Sequence, residues 1–154
     1  LLIFVHTLQE VFASTRSFVF VSDVAETTAI FRAEPVERAI ALAYGGSVVS
    51  VAANSDYGAV FAAMAERHLD ALDARTTLLI VGDGRTNFHD PGLAAFDRLR
   101  RRAGRVVWLN PEPPGAWGFG DSAMQLYAAR CSEAHTVYDL ATLRRAVDRL
   151  VTGA

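Results

Sequence analysis

Asp83 is the residue of this chain whose position best suits chemistry. It follows the apolar run Thr77-Leu78-Leu79-Ile80-Val81 and stands between Gly82 and Gly84. That leaves the backbone around its carboxylate open and close, a setting that suits a hard cation or a polar ligand. Asp-Gly is also a common turn dipeptide, and an Asx-type turn accounts for the same residues. Ser55 and Asp56, in Asn54-Ser55-Asp56, precede a helical pattern and offer a hydroxyl and a second carboxylate, although such a group is equally an ordinary N-cap. Asp23 and Asn110 follow two other strand-like runs. A metal-assisted hydrolase built on Asp83 and Asp23, with His89 as general base, is the enzymatic alternative; Asn87-Phe88-His89-Asp90 before Pro91 also reads as a helix entry.

A second feature is the loop Gly115-Ala116-Trp117-Gly118-Phe119-Gly120-Asp121, where Trp117 and Phe119 either anchor a partner or fold back over the sheet. His6, His68, His89 and His135 are widely spaced, with no i, i+4 pair of the kind that holds zinc on a helix. The phosphate-binding loop Gly-x-x-x-x-Gly-Lys, the dinucleotide fingerprint Gly-x-Gly-x-x-Gly and the nucleophile elbow Gly-x-Ser-x-Gly do not occur. Nucleotide binding and serine hydrolysis therefore have no support.

The elements that must position these residues alternate between two periodicities. Phe18-Val19-Phe20-Val21, Thr77–Val81, Val106–Leu109 and His135–Tyr138 are β-branched or aromatic runs of strand length. Ala29-Ile30-Phe31 reads as a short edge strand paired with the first of them. Helices are predicted over Leu1–Phe12; after Glu34-Pro35 up to Gly45-Gly46; after Asp56, with Val60, Met64 and Leu72 inward; from Asp90-Pro91 to Gly104, with Phe96 and Leu99 inward; over Met124–Arg130; and over Leu140–Val151. Three prolines among residues 111–114 make that segment loop. Strands separated by helical crossovers imply an α/β, three-layer sandwich with a mostly parallel central sheet, in which ligands gather at the carboxyl ends of the strands.

The chain has 154 residues, 51% hydrophobic and 21% charged, and a formal net charge of -2. That is the balance of one globular domain, with no general attraction for phosphate backbones, so nucleic acid is not an expected partner. The arginines at 98, 100, 101, 102 and 105 read as a solvated helix end complementing the dipole. Cys131 stands alone and can form no internal disulfide. No run is long enough to span a bilayer, since His6, Gln9 and Glu10 break the apolar opening. With no initiating Met and a helical pattern already under way at Leu1, the chain is expected to be an N-terminally truncated fragment of a single domain covering 1–154.

Leu78-Leu79-Ile80-Val81-Gly82-Asp83-Gly84-Arg85, Asp90-Pro91, the arginine-rich helix and Val106-Val107-Trp108-Leu109-Asn110-Pro111-Glu112-Pro113 together resemble the von Willebrand factor A (VWA) domain-containing proteins of the CoxE type. The likeness extends to Gly118-Phe119-Gly120-Asp121-Ser122-Ala123-Met124 and runs through nearly the whole chain. The Trp-Leu-Asn-Pro-Glu-Pro run after an arginine-rich helix is its more specific signal.

The resemblance implies a VWA/Rossmann-like fold and a metal-ion-dependent adhesion site (MIDAS) made of three loops. Ser55 would match the second loop and Asp83 the third. The first, an Asp-x-Ser-x-Ser, would precede Leu1 on a central strand between Phe18–Val21 and Leu78–Val81. Binding of Mg²⁺ (or Mn²⁺) by this chain is accordingly expected to be weak or nil, and the two flanking strands to be left as open edges that invite self-association, direct pairing between them being the alternative. Asp56, Arg85, Trp117 and Phe119 are the expected partner contacts. The resemblance further implies a cytoplasmic, bacterial, non-enzymatic adaptor that assists maturation of a molybdenum enzyme such as carbon monoxide dehydrogenase, beside a MoxR-type AAA+ ATPase. A degenerate, metal-free interaction domain is the remaining alternative.

Overall fold

The computed structural model describes residues 14–45, 48 and 54–152, apart from the side chains of 151 and 152. The helix expected over Leu1–Phe12, and Gly46, lie outside the described residues. The parallel sheet is built from β3 (Thr77–Val81), β4 (Arg105–Asn110) and β5 (Glu133–Thr136), in the order β3-β4-β5. Leu78 lies opposite Val106, Val81 opposite Leu109, and Asn110 opposite Thr136. Their carboxyl ends therefore finish at one level.

Side chains alternate across this sheet, as the pleat requires. Ile80, Val106 and Trp108 enter one core with α3 (Tyr57–Arg67), α4 (Leu93–Arg102) and α5 (Met124–Ala128), while Val107 and Leu109 enter another with Val137 and Ala146, the latter on α6 (Leu140–Thr152). Helices thus cover both faces, and the expected three-layer α/β sandwich is present. The larger core is centred on aromatics: Trp108 stacks on Tyr127 at 4.9 Å and 11°, and Phe61, Phe96 and Tyr57 pack around the pair. Each such ring buries a large apolar area and gains from offset or edge contacts. Cys131 packs against this core, where burial pushes its thiol up to about 12 and keeps it protonated and unreactive at neutral pH.

The amino-terminal half differs from expectation. Phe18–Phe20 (β1) pairs antiparallel with Val24–Glu26 (β2), as a two-stranded ribbon separate from the parallel sheet. Ala29-Ile30-Phe31 is not an edge strand but lies in a helix, α1 (Thr28–Ala33). The turn at Val21–Asp23 comes early enough for β2 to occupy the place beside β1. The pairing then ends where the Thr27 amide donates to the Ser17 carbonyl at 2.8 Å and the Thr28 hydroxyl accepts from the Ser17 amide at 3.0 Å. Arg16 closes the ribbon by a two-point pairing with Glu26 and a third contact to Asp70. Among the described residues β1 and β3 do not pair.

Several boundaries also move: the strand expected at His135–Tyr138 runs Glu133–Thr136, where it pairs with β4, and the helix expected over Met124–Arg130 ends at Ala128. Pro35 precedes α2 (Val36–Tyr44) and Gly45 ends it as expected, but α3 stops at Arg67, so Leu72 is buried from an extended segment beyond a 3₁₀ turn at Leu69–Ala71. Helix α4 begins at Leu93 and not at Asp90-Pro91. The Asp90 carboxylate accepts from the Gly92 amide at 2.7 Å, and Gly92 takes a left-handed conformation as the chain crosses the start of α3. A Cβ there would fall 2.5 Å from the Gly58 Cα, so the crossing needs glycine on both sides. Within the proline-rich segment, Pro114–Ala116 forms a 3₁₀ turn.

Candidate functional site

Four loops converge at the carboxyl end of the parallel sheet. They are Asn54–Asp56 before α3, Gly82–Gly92 after β3, Pro111–Pro113 after β4, and Trp117–Ser122 before α5. Their positions follow from the chain reversing between each parallel strand and its helix.

Asp83 leaves the sheet one residue after Gly82. One carboxylate oxygen, Oδ1, accepts from the Arg85 amide at 3.0 Å and from the Tyr57 hydroxyl at 3.3 Å. The Tyr57 hydroxyl in turn accepts from the Gly84 amide at 3.2 Å. The Asx-type turn anticipated as the plain reading of Asp83 is therefore real, but it employs only one oxygen; Oδ2 carries no hydrogen bond among the described residues. Tyr57 is buried at the start of α3, where burial first and the Asp83 charge second push its phenol well above the usual range and hold it as a neutral donor. Gly82 is required here, since a Cβ would lie 2.1 Å from the Tyr57 hydroxyl oxygen.

Ser55 is brought to the same platform. Its carbonyl accepts from the Asn87 side-chain amide at 2.9 Å, which ties the loop before α3 to the loop after β3. Its hydroxyl has no partner among the described residues. Asp56 caps α3, accepting from the Ala59 amide at 2.9 Å, and its second oxygen lies 3.8 Å from His89 Nδ1. The N-cap reading of Asn54-Ser55-Asp56 therefore holds at Asp56, while Ser55 is joined to the loop after β3 through its backbone carbonyl.

Arg85 joins the remaining loops. Its guanidinium makes a two-point pairing with Glu112 at 2.9 and 3.0 Å and a third bond to Asp121 at 2.8 Å. This contact holds the Asp121 carboxyl below the usual carboxylate range. Asp121 also accepts from the Asn87 amide at 3.1 Å, and its carbonyl accepts from the Thr86 amide and hydroxyl. Arg85 accordingly acts in this structure as the clasp of the platform. Asn110 is wholly buried beneath it, donating to the Asp83 carbonyl at 2.8 Å and accepting from the Glu112 amide at 2.7 Å.

The two rings of the glycine-rich loop separate. Trp117 folds back, donating its indole N–H to the Glu112 carbonyl at 3.2 Å and packing against the main core, whereas Phe119 stays 72% exposed. Phe88, which sequence reasoning passed over, is 86% exposed and, like Asn87, has a left-handed backbone, with φ of 64° and 50° respectively. Such conformations cost about 1–3 kcal/mol for a non-glycine residue and persist only where the surroundings enforce them. The enforcing contacts here are the two Asn87 bonds to Asp121 and Ser55. The signal in the sequence was the Thr-Asn-Phe-His segment, four polar or aromatic residues inside a βα loop.

Asp23 does not join the platform. It lies in the β1–β2 turn, paired with Arg67 at the far end of α3, and this pairing holds its carboxyl below the ordinary range. His89 faces Asp56. Among the described residues no three of His, Cys, Asp and Glu cluster as a metal shell, so the hydrolase arrangement of Asp83, Asp23 and His89 is not assembled. Asp83 Oδ2 and the Ser55 hydroxyl are both oxygen donors of the kind Mg²⁺ selects, on loops joined by the Asn87 side chain, and two such donors fall short of the about six oxygens that ion takes.

A parallel sheet covered by helices on both faces, with its loops gathered at the carboxyl ends of the strands, is the architecture of a VWA/Rossmann-like α/β domain. The family model described as VWA domain containing CoxE-like protein matches residues 1–146, and the chain belongs to that family. Domains of this type are in general protein-interaction modules. No curated protein and no solved structure matches the chain significantly. Among the described residues, no helix is long and apolar enough to cross a membrane.

Proposed function

We propose that the loop platform is a metal-ion-dependent docking face through which this domain recruits a partner protein. Asp83 and Ser55 would hold Mg²⁺ (or Mn²⁺), and the bound ion would supply an oxygen-seeking centre able to take a carboxylate from the partner. The chain's own residues do the rest. Tyr57 and the Arg85 amide fix one oxygen of Asp83 and leave the other for the ion. Asn87 fixes the Ser55 loop beside it, Asp56 and Arg85 form the polar rim, and Phe88 and Phe119 offer apolar contact area. Trp117 supports the loop that carries Phe119. The family likeness supports a cytoplasmic adaptor role in maturing a metalloenzyme, such as a molybdenum-containing carbon monoxide dehydrogenase, alongside a MoxR-type AAA+ ATPase.

The observation that carries this reading is the one-sided tethering of Asp83 within a platform whose loops are bonded to one another. It is tested by calorimetric titration of Mg²⁺ and of Mn²⁺ into the full-length natural polypeptide, in which an Asp-x-Ser-x-Ser loop would complete the shell, and into its Asp83→Ala variant. Saturable binding that disappears in the variant supports the reading. Binding that is unchanged in the variant, or absent from both, overturns the metal dependence and leaves a metal-free interaction face.

A further inference from the structure

A cleft of about 120 Å³ lies between the outer edge of β5 and α6, lined by His135, Thr136, Thr142, Arg145, Ala146 and Arg149. It belongs to none of the four loops described above. Arg145 and Arg149 are one helical turn apart and share a face of α6. Neither guanidinium forms an ion pair with a carboxylate among the described residues. Of the nearby acids, Glu133 is taken up by Arg105 and by His135 at 2.7 Å, Asp148 is not free, and Asp139 caps the start of α6 through the Thr142 amide at 2.7 Å, its charge reaching Arg145 without a direct ion pair. Thr136 lines the same cleft, and its hydroxyl oxygen is buried behind the surface without a hydrogen-bond partner among the described residues.

We infer that this cleft is a binding site for a phosphate-class oxyanion. Two like charges at i, i+4 repel each other, and a doubly charged anion between them turns that repulsion into two charge-assisted interactions. The guanidinium fork matches phosphate geometry. Thr136 completes the argument, because a buried hydroxyl without a partner is costly and a one-well turn about its χ1 offers the missing acceptor. The volume holds several waters, enough for one small anion in their place.

The test is a titration of inorganic phosphate at constant ionic strength, followed by amide chemical shifts of His135, Thr136 and Arg145. Saturable shifts confined to this cleft are expected. In R145Q/R149Q, both exposed and neither in the core, affinity falls by about tenfold or more for the lost charge-assisted bonds. Thr136→Val removes the orphan hydroxyl, so it folds as well as the parent or better, yet binds phosphate more weakly. A parallel titration with adenosine monophosphate separates the sources: tighter binding assigns the phosphoryl group of a nucleotide, weaker binding the free ion. Shifts spread equally over the arginines of α4, or affinity unchanged in the double variant, overturn the site.

Discussion

Gly82→Ala tests the construction of the platform. A Cβ at this position would lie 2.1 Å from the Tyr57 hydroxyl oxygen, whereas the next atom, the ring Cζ, is 3.3 Å away. Gly82 is not in the left-handed region, so the substitution brings no backbone strain, and alanine would by itself favour folding by about 0.4–1 kcal/mol through the unfolded chain. Against that, overpacking of a close site costs about 1–3 kcal/mol. Displacing Tyr57 also loosens its bonds with Asp83 and the Gly84 amide, at about 0.5–1.5 kcal/mol each. A net loss of about 1–5 kcal/mol follows from these terms. The partner variant Tyr57→Phe removes the clashing atom and costs about 1–2 kcal/mol by leaving the Gly84 amide unpaired.

In the double variant the alanine meets only Cζ, so its added cost falls to about 1 kcal/mol and the pair is less destabilised than the sum of the singles. Urea unfolding of the four proteins, with m-values compared, reads this coupling directly. Additivity to within about 0.5 kcal/mol would refute the claim that the Tyr57 hydroxyl is what requires glycine at position 82.

Arg85→Met leaves Glu112 and Asp121, whose side chains are 26% and 17% exposed, without their cation, and should cost about 1–2 kcal/mol at neutral pH. Because Arg85 depresses the Asp121 carboxyl, this advantage of the parent is present above the ordinary carboxylate pKa of about 3.9 and is lost as pH falls through the lower native value. Unfolding curves of parent and variant should therefore converge in acid; a gap unchanged down to pH 2 would refute the clasp. Phe88→Gly removes an exposed ring from a left-handed backbone, so thermal stability should hold or rise by about 1 kcal/mol while capture of a partner weakens. A large drop in melting temperature would instead assign Phe88 to the fold.

The parallel sheet was legible because buried strands announce themselves by composition: Thr77–Val81 matches β3 at both ends, and Arg105–Asn110 extends the apolar run by one polar residue at either side. The ribbon was not legible, because Val24-Ala25-Glu26 is three residues long and carries little β-propensity. What places it is the early turn and the threonine bonds to Ser17, which are tertiary facts. Helix α4 starts late for a similar reason, since the glycine-to-glycine crossing with α3 joins residues more than thirty positions apart.

The site divides along the same line. The positions of Asp83 and Ser55 at this end of the sheet were readable because each sits where a strand or helix boundary must fall, and boundaries have residue signatures. Arg85 and Asn110 stand out in the chain, the one as an expected partner contact and the other for following a strand. The bonds by which they and Asn87 join the loops run to residues in other loops, so nothing adjacent in the chain marks those roles. This division has a functional consequence. The polar net of Arg85, Asn87 and Asp121 shapes the surface, whereas the aromatic core around Trp108 and Tyr127 supplies stability, and the two meet chiefly at Tyr57. Under the proposed function, exposed loop residues such as Phe88 and Phe119 would be free to vary with the partner, while Gly82, Tyr57 and Asn110 are bound to the fold that presents them.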